Sequence, residues 1–282
     1  MSIQWYPGHM AKTRKIIQEN MKLVDIVIEL VDARLPRSSR NPDIDALLGN
    51  KPRILVMNKC DIADPDLNES WAEWYASHNI AVVLVDSISG KGLNQIGPLS
   101  RELLKEKIER DRQKGIVNRA VKAMVVGIPN VGKSSFINKF SGRASAKTGD
   151  RPGVTRGKQW IRIRNGFELL DTPGILWPKF EDEEVGRKLA YTGAIKDEII
   201  NTEELACNLL VFLRDNYPDK LMERYKLDSV KEKEGFELLH AVGKKRGCIV
   251  SGGDVDTFRA SAILLDEFRG AKIGRITLEK PE

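Results

Sequence analysis

Short apolar runs punctuate the first two-thirds of the chain: Asp25–Val31, Ile54–Met57, Ile80–Val85, Ala123–Val126 and Phe167–Leu170. Val, Ile and Leu fill them with little polar alternation, so each predicts a strand buried on both faces. Helical patterns lie between them, and that alternation predicts an α/β domain with a mostly parallel sheet. Gln159–Arg164 followed by Phe167–Leu170 reads as a β-ribbon. Beyond Pro178 the patterns lengthen and take the helical period, over Glu203–Asn216, Gly235–Arg246 and Phe258–Phe268. The change of texture places a boundary at about residues 176–180, between a domain over 1–177 and a smaller all-α domain over 178–282. No internal repeat is present.

Composition narrows the classes. With 41% hydrophobic and 30% charged residues over 282 positions, the chain is globular in character. Its longest uncharged, apolar-leaning stretch, Ala123–Val131, is far short of a membrane span, so no membrane partner is expected. The first residues carry neither a basic nor an apolar region of a signal peptide. Cys60, Cys207 and Cys248 are odd in number and widely spaced, which predicts free thiols in a reducing compartment, the cytoplasm. A monomer is expected. Residues 1–176 hold 28 Lys and Arg against 19 Asp and Glu, whereas 177–282 hold 18 against 21. A basic first domain suits polyanionic partners, and suits equally a charge that only keeps the domain soluble.

Candidate chemistry concentrates at strand ends. Gly127-Ile-Pro-Asn130-Val131-Gly132-Lys133-Ser134 matches G-x-x-x-x-G-K-[ST], with a strand leading in and an amphipathic run, Ser135–Phe140, leading out. Its glycines let backbone amides wrap a phosphate, and the helix N-terminus adds its positive end. Lys133 is expected on the β and γ phosphates, Ser134 on Mg²⁺, and Asn130, Val131, Gly132 and Ser135 in the same cradle. Asp171-Thr-Pro-Gly174 closes an apolar strand 38 residues after Lys133. Asp171 is expected to hold the magnesium's water shell, and the Gly174 amide to approach the γ phosphate. Lys147–Arg156, broken by glycine and proline, reads as a loop in which Thr155 would add a hydroxyl to Mg²⁺ when the γ phosphate is present.

Asn58-Lys59-Cys60-Asp61 ends another strand. The Asp61 carboxylate can accept both N1–H and N2–H₂ of guanine, a pair adenine cannot offer. Asn58 would bond the other side of the base and the Lys59 stem would pack on its face. Ser87 and Ile88, after the next strand, would bring backbone to guanine O6. In an ordinary GTPase the phosphate loop precedes Asn-Lys-x-Asp, whereas here Asn58 precedes Gly127. That order is a circular permutation, with the former termini joined within Leu93–Asn118, which carries a charged helix over Arg101–Lys114.

At these residues the chain resembles the circularly permuted GTPases, and most closely the bacterial ribosome biogenesis GTPase A family. The matches are Trp5-Tyr-Pro-Gly-His9-Met10, Asp32-Ala-Arg-Leu-Pro36, Arg40-Asn-Pro42, Asn58-Lys-Cys-Asp61, Gly127–Ser134, Gly149–Thr155 and Asp171–Trp177. The resemblance implies a circularly permuted P-loop GTPase domain with a second, all-α domain that contacts RNA. It implies GTP and Mg²⁺ as cofactors, the large ribosomal subunit precursor and its rRNA as partners, and turnover stimulated by that particle late in assembly. A scaffold that binds RNA, with GTP as a sensor and hydrolysis incidental, is the alternative.

Ile175 stands where many small GTPases carry a water-positioning glutamine, so hydrolysis is either supplied by a partner or served by another side chain. On the residues alone His9 reads as a helix-start or RNA-contacting position; the resemblance implies a role in hydrolysis. Asn130 resembles the asparagine of GTPases aided by potassium, which makes K⁺ a further candidate cofactor. Arg34, Arg37 and Arg40 crowd one loop, and are expected on rRNA phosphates in preference to a salt-bridged, solvated loop. Lys244-Lys245-Arg246 closes a helix, where cations suit the macrodipole as well as they suit RNA.

Overall fold

The computed structural model describes residues 14–15, 17–116, 119–142, 159–163, 166–172 and 182–282. These fall into two compact units. One combines the described residues up to 172 with the closing segment Thr277–Glu282, and the other is Asp182–Ile276.

The first unit is built on a six-stranded sheet. Its strands are β1 (Ile26–Asp32), β2 (Arg53–Asn58), β3 (Ala81–Val85), β4 (Val121–Gly127), β5 (Gln159–Ile163) and β6 (Phe167–Asp171), in the order β3-β2-β1-β4-β6-β5. All neighbours are parallel except β5 and β6, which form the antiparallel ribbon expected from the sequence. Every residue of β1 is buried, as a central strand covered on both faces requires. Val27 and Val31 share one face of β1. Around Val27 pack Met124, Val126, Leu170 and the short helix α1 (Ile44–Leu48). Around Val31 pack Leu55, Met57 and the Trp71 and Tyr75 rings of α2 (Pro65–Ser77). Phe167 faces the other way, against Phe140 of α5 (Lys133–Ser141) and close to Gly97 of α3 (Leu93–Leu103).

The charged helix expected over 101–114 is two helices. α3 begins already at Leu93 and α4 (Lys105–Gln113) follows, with Leu104 outside both. The buried Asp25 carboxylate ties this connection to the sheet, accepting from Lys107, from Arg119 at 3.3 Å and from the Lys122 amide at 2.9 Å.

The second unit holds α6 (Glu183–Tyr191), α7 (Thr202–Asn216), α8 (Pro218–Tyr225), α9 (Gly235–Lys245) and α10 (Thr257–Arg269), with one isolated β-bridge between Ile249 and Val255. Leu205, Leu209, Leu210 and Leu213 of α7 are buried, as are Leu238, Leu239 and Val242 of α9 and Leu264, Leu265 and Phe268 of α10. Among the described residues the second unit begins at Asp182, and it does not run to the end of the chain. Residues 277–282 leave it because their backbone and side chains bond to the sheet unit, with the Leu278 amide on the Arg34 carbonyl at 2.6 Å.

Candidate functional site

The connections from β1 lead outward through β2 and β3 on one side of the sheet, and β4 starts on its other side. The crevice at the carboxyl ends of β1 and β4 is therefore the topological switch point, where ligands of open α/β sheets bind. Asn58 ends β2, Gly127 ends β4 and Asp171 ends β6, all at this edge.

The phosphate loop leaves β4 against the backbone of β1. A Cβ on Gly127 would lie 2.7 Å from the Leu30 carbonyl oxygen, so only glycine fits. Asn130 (φ 57°) and Gly132 (φ 96°) take left-handed conformations, and α5 starts at Lys133. Ser134 and Ser135 thus stand in its first turn, where the amides have no intrahelical acceptor. The Lys133 ammonium donates to the carbonyls of Gly127 at 3.2 Å and Ile128 at 2.9 Å. Burial pulls its pKa down to about 8, against the attraction of Asp171. Burial likewise pushes the Asp171 carboxyl up to about 6, against Lys133 and the Thr172 amide. Asp171 Oδ1 is buried and accepts no hydrogen bond among the described residues. An unpartnered carboxylate oxygen at this position is a hard oxygen donor, and with the Ser134 hydroxyl it suits Mg²⁺ or a water bound to it.

The base motif meets this loop across more than 70 residues of sequence. Lys59, itself left-handed (φ 63°), donates from Nζ to the Asn130 carbonyl at 2.7 Å and to Asp32 Oδ2 at 2.9 Å. Asn58 Nδ2 donates to the Val131 carbonyl at 2.8 Å, and Asn58 Oδ1 accepts from the Ser87 hydroxyl at 2.6 Å. The Asn58 side chain, expected on the base, joins two loops here through its buried amide, the phosphate loop at Val131 and the turn at Ser87. Asp61 is exposed. Ser87 is buried and Ile88 is 77% exposed. Of the backbone expected at guanine O6, the Ile88 amide donates to Asp86 Oδ1 at 2.7 Å. Burial opposes ionisation of Asp86, but hydrogen bonds from Ser89 and from the Ile88 and Ser89 amides outweigh it and lower its pKa.

Asp32 is the residue that the sequence reading left out of the site. It closes β1, fully buried, and takes Arg34 in a two-pronged pair, Nε on Oδ1 at 2.9 Å and Nη2 on Oδ2 at 2.8 Å, with Lys59 as a third donor. Burial alone would raise its carboxyl; Arg34 and Lys59 overcome that and hold it well below the carboxylate range. Two of the three arginines expected on rRNA are enclosed by carboxylates of the protein, whereas Arg37 stays exposed. Arg34 is buried on Asp32, Arg37 pairs with Glu282 at 2.9 Å, and Arg40 pairs with the buried Glu29 at 3.3 Å and with Asp45. The available signal was Asp-x-Arg at a strand end. The Thr172 hydroxyl, also not foreseen, donates to the Val125 carbonyl at 2.7 Å and ties β6 to β4. His9, Thr155, Gly174, Ile175 and the 147–156 loop lie outside the described residues.

Comparison with known proteins agrees with this arrangement. The family model described as 50S ribosome-binding GTPase matches residues 122–244. Ribosome biogenesis GTPase A of Priestia megaterium is 53% identical over 282 residues, covering 100% of this chain and 98% of the relative. Two solved structures are similar at 27% identity and a TM-score of 0.66, each matched over 99% of its own chain. They are the GDP-bound structure of TM YlqF, covering 94% of this chain, and GNP-bound YlqF from T. maritima, covering 96%.

Proposed function

The chain belongs to the ribosome biogenesis GTPase A family, and from that membership we propose that it couples GTP hydrolysis to its departure from the assembling large ribosomal subunit. It is a GTP hydrolase with a circularly permuted GTPase domain, acting in ribosome assembly. The finer reading is that the GTP-bound form docks on the large-subunit precursor and its rRNA at a late step, and that hydrolysis releases it.

The observation that carries the nucleotide part is the junction of Asn58 and Lys59 with the Val131 and Asn130 carbonyls, at 2.8 and 2.7 Å respectively. Those bonds set the guanine-reading turn beside the phosphate cradle. In this reading Asp61 selects guanine, Lys133 and the amides of Gly132, Ser134 and Ser135 hold the phosphates, and Ser134 and Asp171 hold Mg²⁺, with Thr155 as its third group. Magnesium, when bound, neutralises charge on the β and γ phosphates. Gly174 is assigned to the γ phosphate, His9 to orientation of the attacking water, and Asn130 to a potassium ion.

The test is GTP turnover by the purified protein alone, with isolated large subunits and with small subunits, ATP serving as the control. Stimulation by large subunits only, with ATP inert, is the expected result; equal weak turnover in all arms removes the ribosomal reading. His9→Ala is expected to retain GTP affinity, lose stimulated turnover and stay on the particle. Normal release of that variant favours the scaffold alternative. Equal rates in K⁺ and Na⁺ discard the potassium assignment.

A further inference from the structure

The closing segment Thr277–Glu282 bonds the loop that follows β1 and Asp64 at the start of α2, which flank the turn carrying the base motif. The Leu278 amide donates to the Arg34 carbonyl at 2.6 Å. The buried Thr277 hydroxyl reaches the Ala33 carbonyl at 3.5 Å and accepts from the Asp64 amide at 3.0 Å, three residues beyond Asp61. Glu279 Oε1 accepts from the amides of Arg37 at 2.6 Å and Ser38 at 2.9 Å, and its Oε2 accepts from the Ser38 hydroxyl at 2.8 Å. Two indoles of α2 fasten the segment from behind, Trp71 to the Glu279 carbonyl at 3.1 Å and Trp74 to the Glu282 carbonyl at 2.8 Å.

What this segment holds is the support of the guanine-reading turn. The loop Ala33–Ser39 presents Arg34 to Asp32, Ser39 Oγ accepts from the Asp32 amide at 2.9 Å, and Asp32 in turn orients Lys59. On the other flank, Thr277 pins the start of α2 next to Asp61. A six-residue segment with two buried side chains and this many directed bonds has little to do with closing a hydrophobic core. It contacts both sides of one turn, and the turn is the one that meets the base.

We propose that Thr277–Glu282 is a positioning strap for the base-reading motif, so that guanine-nucleotide affinity depends on its docking against Ala33–Ser39 and Asp64. The inference rests on the reading of Asn58–Asp61 as the guanine site. Glu279 and Thr277 are positioning residues: they act on the ligand through Arg34, Asp32, Lys59 and Asp61. With the strap undocked, the folded sheet unit remains, while Lys59 and Asp61 lose their fixed geometry and nucleotide leaves faster.

The experiment titrates the full-length protein with mant-GDP and mant-ADP, alongside Glu279→Ala, Glu279→Gln, deletion of 277–282, and Asp61→Ala. Tryptophan emission reports whether the strap is docked, because Trp71 and Trp74 bond directly to it. Glu279→Ala and the deletion are expected to shift that emission and raise the mant-GDP dissociation constant about tenfold or more, the effect of a lost charge-assisted bond. GTP turnover at saturation is expected to stay within about twofold of the parent, so that KM rises without kcat falling. Glu279→Gln, which keeps an acceptor for both amides, is expected to stay near the parent. An emission shift with unchanged mant-GDP affinity overturns the strap. An Asp61→Ala protein that prefers guanine as strongly as the parent overturns the underlying guanine-site reading instead, and the strap's assignment with it.

Discussion

Gly132 holds a left-handed backbone (φ 96°) directly beneath Asn58, and a Cβ there would run into Asn58 Nδ2. Alanine at this position meets two penalties, backbone strain and loss of the bond from Asn58 to the Val131 carbonyl. Together they amount to about 2 kcal/mol, or roughly thirtyfold in nucleotide affinity. Titration of Gly132→Ala with mant-GTP checks this, and an affinity within twofold of the parent contradicts it. Glu267 makes a prediction in pH. Burial would raise its carboxyl, but bonds from Arg224 (Nη2 to Oε1 at 2.8 Å) and Arg246 (Nη2 to Oε2 at 2.9 Å) hold it at about 2, below the ordinary 4.5. The folded state therefore binds this proton less tightly than the unfolded state does. Its stabilisation is complete above pH 4.5 and is lost as pH falls toward 2. Thermal melts of the parent and of Glu267→Gln should thus differ most near neutral pH and converge between pH 4.5 and 2; a gap constant with pH excludes the pair. Residues such as Lys133, Ser134 and Asp61 are legible because their spacing is tied to a ligand's geometry. Asp32 and Arg34 are not, since their partners are each other and Lys59, 27 residues from Asp32, and nothing local announces that meeting.

Helix packing in the second unit depends on glycines at contacts. A Cβ on Gly243 of α9 would press into Val255 Cγ1 and lie 3.2 Å from the Ala260 Cβ of α10. Gly243→Ala is expected to cost about 1–3 kcal/mol by overpacking, with a lower melting temperature. Because the nearest obstacle is a side chain, Val255→Ala should recover part of that loss in the double variant. Additive losses in a double-mutant cycle would show that the two positions do not meet. Gly235 differs: its Cβ would lie 2.7 Å from the Cys207 carbonyl oxygen, a backbone atom that truncating the Cys207 side chain cannot move away. The elements themselves were unequally legible. All six strands follow from apolar runs or from the ribbon, because burial on both faces leaves little room for polar residues. α1 escapes because a five-residue helix with three buried positions, Ile44, Leu47 and Leu48, has no measurable period. α8 escapes because Pro218 starts it only two residues after α7 ends, so the two read as one helix and a tail. The charged helix was read short because Gly97 and Pro98 lie inside the true α3 and resemble a turn.

At the scale of the molecule, chain order and spatial order part company twice. The base motif precedes the phosphate loop, and the last six residues belong to the sheet unit although a helical unit separates them from it in sequence. The first departure was legible because both motifs are ligand-bound patterns that can be ordered on paper. The second was not, because Thr277-Leu-Glu-Lys-Pro-Glu282 has neither a period nor a motif, and its place is set by backbone bonds to Arg34 and side-chain bonds to Ser38. Assigning everything beyond the boundary to one domain therefore misplaces the strap, and the described helical unit to excise is Asp182–Ile276. That segment carries its own core in α7, α9 and α10, and its ion cluster around Glu267 draws Arg224 and Arg246 from within the same unit. A domain well above about 40 residues with such a core needs no disulfide or metal to fold alone. The excised segment 182–276 is thus expected to give a helical circular dichroism spectrum and one sigmoidal thermal transition. A fragment that binds ANS and melts without a cooperative transition would show that these buried leucines depend on the rest of the chain.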